Sequence, residues 1–142
     1  MKKLVFLAQT DTTVGLLSQD QQRLNAIKKR PLNQKIIKTS PYFSELKKVA
    51  RIPNIHKNTV RKSKKTTFIY PNGESFRIVF GEHVKFYKDY GLDWTYSTSA
   101  NEHKKNFDIS IAKEVDIIIE PFYESKSSKM IKLSRKKSRK LR

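Results

Sequence analysis

Cysteine is absent from this sequence, and only four glycines and one tryptophan are spread over its 142 residues. Without thiols there is no disulfide framework, no thiolate nucleophile and no Cys-ligated zinc, a usage compatible with a reducing, cytoplasmic setting. No apolar run approaches the roughly 20 residues that cross a bilayer, so no membrane segment is expected. Met1-Lys2-Lys3 ahead of the apolar residues 4–8 has the outline of a signal peptide. That stretch is short and Gln9-Thr10-Asp11 interrupts it, so a first strand is expected instead. Acidic residues are also scarce: 13 Asp and Glu stand against 31 Lys and Arg, for a net charge of +18. Such an excess opposes compaction and favours polyanionic partners, whether nucleic acid, nucleotide or an anionic surface. The length suits one domain with a real core.

Familiar catalytic templates are missing as well. There is no GxxxxGK[ST] loop, GxSxG elbow or HExxH helix. His56, His83 and His103 are scattered without ligand spacing and are expected at the surface. Asp116 and Glu120 lie apart on one strand-like run and are read as structural. No catalytic residue is assigned; chemistry in this chain is expected to rest on positioning and electrostatics.

What is present is an alternation of strand and helix signals. Residues 3–8 read as a buried strand and 9–17 as a polar loop. Ser18 or Asp20 caps a helix through about Lys29, and Pro31 ends it. A strand is expected at Ile36-Ile37, and a helix after Ser40-Pro41 with Phe43, Leu46 and Val49 on one face. Residues 51–65 are the least legible. Runs 66–70 and 75–80 around Pro71-Asn72-Gly73 form a hairpin signal. A helix over 82–90 stops at Gly91, and 94–97 is a strand. A brief helix over 109–114, a strand over 115–120 and a last strand over 129–133 follow. Residues 134–142 read as a basic, disordered tail, which leaves one domain over 1–133. The class is α/β, with a twisted mixed sheet and helices, because the Asn-Gly hairpin requires an antiparallel pair.

Three polar segments fall where elements end: 10–15, 28–31 and 97–101. Each has two readings. Lys28 and Arg30 near a helix C-terminus interact favourably with its dipole, by about 0.3–1 kcal/mol. They also suit a polyphosphate, Lys28 as a point charge and Arg30 as a fork. Ser97, Ser99 and Asn101 are ordinary turn residues, or they turn together toward a ligand. Thr10 and Thr12 are loop filler or line a pocket. Arg77, inside an apolar strand, points to solvent or clamps a carboxylate.

In this order the segments resemble the YrdC-like family. That family reads Pro-Thr-(Asp/Glu)-Thr with a following Tyr/Phe-Gly, then Lys-x-Arg-Pro, then Ser-x-Asn. Here stand Gln9-Thr10-Asp11-Thr12-Thr13-Val14-Gly15, Lys28-Lys29-Arg30-Pro31 and Ser99-Ala100-Asn101. Thr66-Thr67-Phe68 is similar to the family's Val-Thr-Phe strand and Phe76-Arg77-Ile78 to its Val-Arg-Val strand. The resemblance implies that Lys28, Arg30, Ser99 and Asn101 contact ATP, and that Thr12, Arg77 and Ser97 surround L-threonine. It implies a nucleotidyltransferase that joins ATP, L-threonine and bicarbonate into threonylcarbamoyl-AMP, with Mg²⁺ on the phosphates. A threonylcarbamoyl-transferase partner would then carry the group to adenosine 37 of tRNA. A non-catalytic module of the same fold that binds tRNA or double-stranded RNA is the rival reading, with Lys62, Lys64 and Lys65 as its contacts.

Overall fold

The structure, a computed structural model, describes residues 3–100, 113–122 and 126–142. These form two compact units, each assembled from two stretches of chain. Both are mixed α/β layers, as the sequence pattern led us to expect.

The first unit draws on residues 1–36 and 95–126. Strands β1 (Val5–Gln9) and β2 (Val14–Ser18) form an antiparallel hairpin closed by residues 10–13. Helix α1 spans Gln21–Ile27. The Asp20 carboxylate accepts the Arg23 N–H at 3.1 Å, the N-cap bond that the sequence anticipates. Residues 14–17 were expected in a loop, and Ser18 as a possible helix cap, yet together they form a strand. Their burial is continuous, without alternation, so neither face of β2 is left to solvent, and strands pair with it on both edges. The second flank is β6 (Thr95–Ser99 in the full strand count), antiparallel to β2; a short parallel strand, Ile117–Ile119, lies beyond β1. Leu24 of α1 packs into a core of Val5, Leu7, Val14, Leu16 and Ala100. Asp116 ties the outer strand down: it pairs with Arg23, and its Oδ2 accepts the Val5 N–H at 2.9 Å. Of the brief helix expected over 109–114, residues 109–112 lie outside the described residues.

The second unit holds residues 37–94 and 127–142. In chain order its strands are β3 (Ile37–Ser40), β4 (Thr66–Ile69), β5 (Ser75–Ile78), β8 (Lys129–Leu133) and β9 (Ser138–Lys140), β6 and β7 being Thr95–Ser99 and Ile117–Ile119 of the first unit. The order across the sheet is β3-β5-β4-β8-β9. Pairs β3–β5 and β4–β8 are parallel, and β4–β5 and β8–β9 antiparallel. The β4–β5 hairpin turns where Asn72-Gly73 promised, with Gly73 at φ 85° and its N–H on Tyr70 O at 2.8 Å. Helices α2 (Phe43–Val49) and α3 (Lys57–Lys62) occupy the poorly legible region and its approach. Leu46 and Val60 from them join Phe68, Tyr70, Phe76, Ile78 and Leu133 in the core. Each such side chain contributes about 1.5–3 kcal/mol on burial. Helix α4 (His83–Tyr90) ends at Gly91, whose φ of 64° lets Leu92 N–H reach back to Tyr87 O at 2.9 Å. Tyr87, fully buried, shares a 2.6 Å hydrogen bond with Thr39 and so pins α4 to β3.

Two expectations need correction. Residues 134–142 are not a loose tail: Ser134 accepts the Lys137 N–H at 3.0 Å, turning the chain so that β9 pairs with β8. Composition pointed to solvation, but the open edge of β8 supplies a backbone ladder that needs no apolar side chains. Nor are the described histidines at the surface. His56 is buried with Nε2 on Ser134 O at 2.9 Å, and His83 is 6% exposed; His103 lies outside the described residues.

His83 stacks on Phe86 and lies edge-on to Tyr87, and neither ring nitrogen has a hydrogen-bond partner among the described residues. Burial, and secondarily the Arg77 guanidinium, press its pKa down to about 3. The folded pKa lies below the unfolded one, so the neutral ring's stability contribution is complete above pH 6.5 and is lost as pH falls toward 3. Between pH 7 and 4.5 this one group should remove about 2 kcal/mol. Denaturant unfolding of His83→Phe against wild type should show the gap between them shifting by that amount over this range; parallel pH curves would refute it.

Candidate functional site

The first unit brings two of the polar segments onto one ladder. β2 and β6 pair with Gly15 opposite Ser99, Leu16 opposite Thr98 and Leu17 opposite Ser97. Ala100 N–H extends the ladder to Val14 O at 2.9 Å. The turn 10–13 is organised by Thr10. Its hydroxyl donates to Thr13 O at 2.6 Å and accepts the Thr12 N–H at 3.0 Å. The Thr12 hydroxyl lies 3.2 Å from it, and Gln9 Nε2 caps Thr12 O at 3.0 Å. Thr12 is buried, and so is Ser97. Gly15 is needed behind this turn: a Cβ there would come within 2.8 Å of the Thr10 methyl group, whose hydroxyl is already committed.

The Lys-Lys-Arg segment closes on the same ladder. Lys29 adopts a left-handed conformation, φ 55°, just past α1. That reversal leaves Lys29 exposed and half-buries Lys28 and Arg30 on either side of it. Lys28 Nζ donates to Ser99 O at 2.8 Å, and Arg30 Nη1 donates to Thr98 Oγ1 at 3.2 Å. The loop behind them is held by buried Asn25, whose Nδ2 donates to Leu32 O and Gln34 O at 3.1 and 2.9 Å. Arg30 N–H in turn reaches Asn25 O at 2.8 Å. Neither Asn25 nor Thr98 was singled out from sequence. Asn25 reads as an ordinary polar position in a helix, and its role depends on a loop that bends back over it. Asn101 lies outside the described residues.

In the second unit Arg77 is 4% exposed, which rules out the solvent-facing reading of this strand arginine. Its Nη1 meets Thr67 Oγ1 at 3.5 Å, the outer limit of a hydrogen bond. Lys62, Lys64 and Lys65 are exposed at the end of α3 and the entry to β4. Lys65 takes φ 53°, and its carbonyl accepts the Lys129 N–H at 2.9 Å. Among the described residues no three of His, Asp and Glu stand together as a metal site. Among the described residues no helix is long and apolar enough to cross a membrane.

The arrangement in the first unit offers fixed positive charge beside a strand end and a hydroxyl-rich turn. It presents a point charge and a planar fork, anchored to the Ser99 carbonyl and the Thr98 hydroxyl at the end of β6, groups of the kind that suit an anion.

Neither a protein-family model nor a curated protein matches this sequence. Solved structures do. A doubly substituted form of P. abyssi Sua5 gives a TM-score of 0.80 at 19% identity, covering 98% of this chain and 49% of that one. P. abyssi Sua5 complexed with L-threonine gives 0.76 at 18% identity, covering 98% and 50%. E. coli YciO gives 0.74 at 16% identity, covering 99% and 82%. This chain thus spans about half the length of P. abyssi Sua5. At such identities the likeness is one of architecture, and the fold of this chain is YrdC-like.

Proposed function

We propose that this chain is a compact threonylcarbamoyl-AMP synthase of the YrdC-like family, working on ATP, L-threonine and bicarbonate. The observation that carries the reading is the seating of Lys28 on Ser99 O and of Arg30 on Thr98 Oγ1. Two segments some seventy positions apart, each weak alone, share one ladder end in the order the resemblance requires. The P. abyssi Sua5 complex with L-threonine adds support for the amino-acid substrate.

In this reading the threonine amine forms a C–N bond to bicarbonate carbon with loss of water, and an oxygen of the resulting carbamate attacks the α-phosphorus of ATP and displaces pyrophosphate. Lys28 and Arg30 hold the phosphates, and by the resemblance Ser99 and Asn101 also contact the nucleotide. Thr12 and Ser97 line the threonine side. Mg²⁺ arrives as the nucleotide's own counter-ion. The product feeds tRNA modification through a transferase partner in the cytoplasm. Rate comes from positioning and from fixed charge beside the leaving pyrophosphate, which needs no protein nucleophile.

Calorimetry with ATP should show Lys28→Ala and Arg30→Ala each weakening binding about 10–100-fold, the range for losing a hydrogen bond to a charged group. Both side chains are half-buried at the surface, so unfolding curves should stay close to wild type. Unchanged ATP affinity in both variants would remove the nucleotide site from this turn. Incubating the chain with ATP, L-threonine and bicarbonate should release pyrophosphate, and omitting threonine should stop it. Pyrophosphate release that ignores threonine, or none at all, would overturn the assignment.

A further inference from the structure

The positive charge of this chain gathers at one sheet edge. Residues 127–142 contain eight Lys and Arg and no Asp or Glu. Among the described residues none of the eight is ion-paired. Arg142 turns inward, its Nε and Nη2 donating to Ser128 O and Oγ at 2.8 and 3.1 Å. The others, from Lys129 to Lys140, are exposed.

Among the described residues β9 pairs with β8 alone and so forms the outer edge of the second unit. Antiparallel partners alternate between pairs that exchange backbone hydrogen bonds and pairs whose groups point away. Ser134 N–H donates to Lys137 O at 2.8 Å, and Leu141 N–H to Met130 O at 2.7 Å. Between these bonds lie the register pairs Leu133–Ser138, Lys132–Arg139 and Ile131–Lys140. The alternation turns the N–H and C=O of Arg139 toward β8 and those of Ser138 and Lys140 outward. The ladder stops at a bulge, where Leu141 and Arg142 both donate to the Met130 carbonyl. What remains is a short open edge, Ser138–Lys140, exposed throughout.

The side chains decide what this edge accepts. Cross-strand partners share a face of the sheet. Lys132 and Arg139 therefore stand side by side on one face, and Lys140 lies on the other with Ile131. A second copy of β9 would bring cation against cation, and a neutral strand would crowd these charges without matching them. A strand with carboxylates on the Arg139 face fits both features. Its backbone supplies alternating donors and acceptors, and its acids extend the row from Lys132 through Arg139. A phosphodiester chain matches the charge alone, because its oxygens accept and offer nothing to the Ser138 and Lys140 carbonyls. Residues 127–142 also hold no aromatic ring on which a base could stack.

We propose that the β9 edge is a docking site for an extended acidic segment of a partner protein, which adds to the sheet as a further strand with its carboxylates beside Arg139 and Lys132. This site stands whether or not the synthase reading does.

The test uses the full chain and two blocked octapeptides of equal charge, one alternating Glu with Thr and the other Glu with Pro. With Glu opposite Arg139, each Thr falls opposite Ser138 or Lys140 and donates to its carbonyl, whereas Pro has no N–H to give. In NMR titrations at low salt the Glu-Thr peptide should bind at least about tenfold tighter than the Glu-Pro peptide. At ten times its Kd it should slow hydrogen exchange of the Ser138 and Lys140 amides about tenfold. Arg139→Glu combined with Lys140→Glu should weaken binding at least about tenfold, since each reversal replaces attraction by repulsion. Both positions are exposed, so the unfolding curve should stay close to wild type. Equal affinity for the two peptides would overturn the proposal, because charge alone would then explain binding. Binding of neither peptide would overturn it too, and would mark the cations as a guard against strand addition. A duplex RNA of the same charge that binds more tightly than the Glu-Thr peptide would assign this edge to nucleic acid instead.

Discussion

The pairing of β2 with β6 is the constraint on which the candidate site depends. It joins residues 14–18 to residues 95–99, about eighty positions along the chain. Closing so long a loop costs only slowly more than closing a short one, because the entropy grows with the logarithm of length. The return is large: β2 gains a second hydrogen-bonded flank, and Leu16 and Leu17 become fully buried. Once that register is set, the Ser99 carbonyl and the Thr98 hydroxyl stand where the turn after α1 delivers Lys28 and Arg30. Gly15 sits at the same level because the Thr10 methyl leaves no room for a side chain.

The second unit is governed by a different cost. A guanidinium nearly out of solvent must be met by polar groups, since desolvating a cation takes several kcal/mol. The groups that meet Arg77 include the Thr67 hydroxyl, itself 2.9 Å from that of Ser128. The same cation shapes its neighbourhood in another way. His83 lies at the first residue of α4, where the helix dipole also disfavours added positive charge, and it stays neutral as a stacked ring. The apolar face of this sheet carries α2 and α3, so the unit separates an ordinary core from a polar network.

Much of the fold was legible where local chemistry and tertiary demand agree. Asn72-Gly73 takes the positive φ that a tight hairpin requires, and Gly91 does the same past α4. Asp20 caps α1 because its short carboxylate reaches the first free N–H groups. Legibility failed where one level overrode another. Residues 14–17 look like loop because they follow four polar residues and contain a glycine; their strand state comes from two neighbours remote in sequence. Residues 138–140 look like tail because Ser-Arg-Lys has nothing to bury; backbone pairing with β8 orders them regardless. The histidines looked like surface residues because spacing reports on metal ligation and is silent on burial.

The site divides along the same line. Lys28, Arg30, Ser97, Ser99 and Thr12 could be picked out as residue types, since hydroxyls and fixed cations are the groups that suit anions. Residue type alone left each with a bland alternative, a dipole partner or a turn former. Arg77 was equally ambiguous between solvent and pocket.

What the sequence determined by itself was local: the helix cap, the hairpin turn, the positive-φ glycines, the absence of thiol chemistry and the excess of positive charge. These depend on a residue and its near neighbours. Tertiary structure alone decided which cations are anchored and which are merely solvated, that Arg77 and His83 are buried, and that Arg142 reaches Ser128. Burial and long-range pairing are properties of strands brought together from distant positions, and no short window of sequence contains both partners.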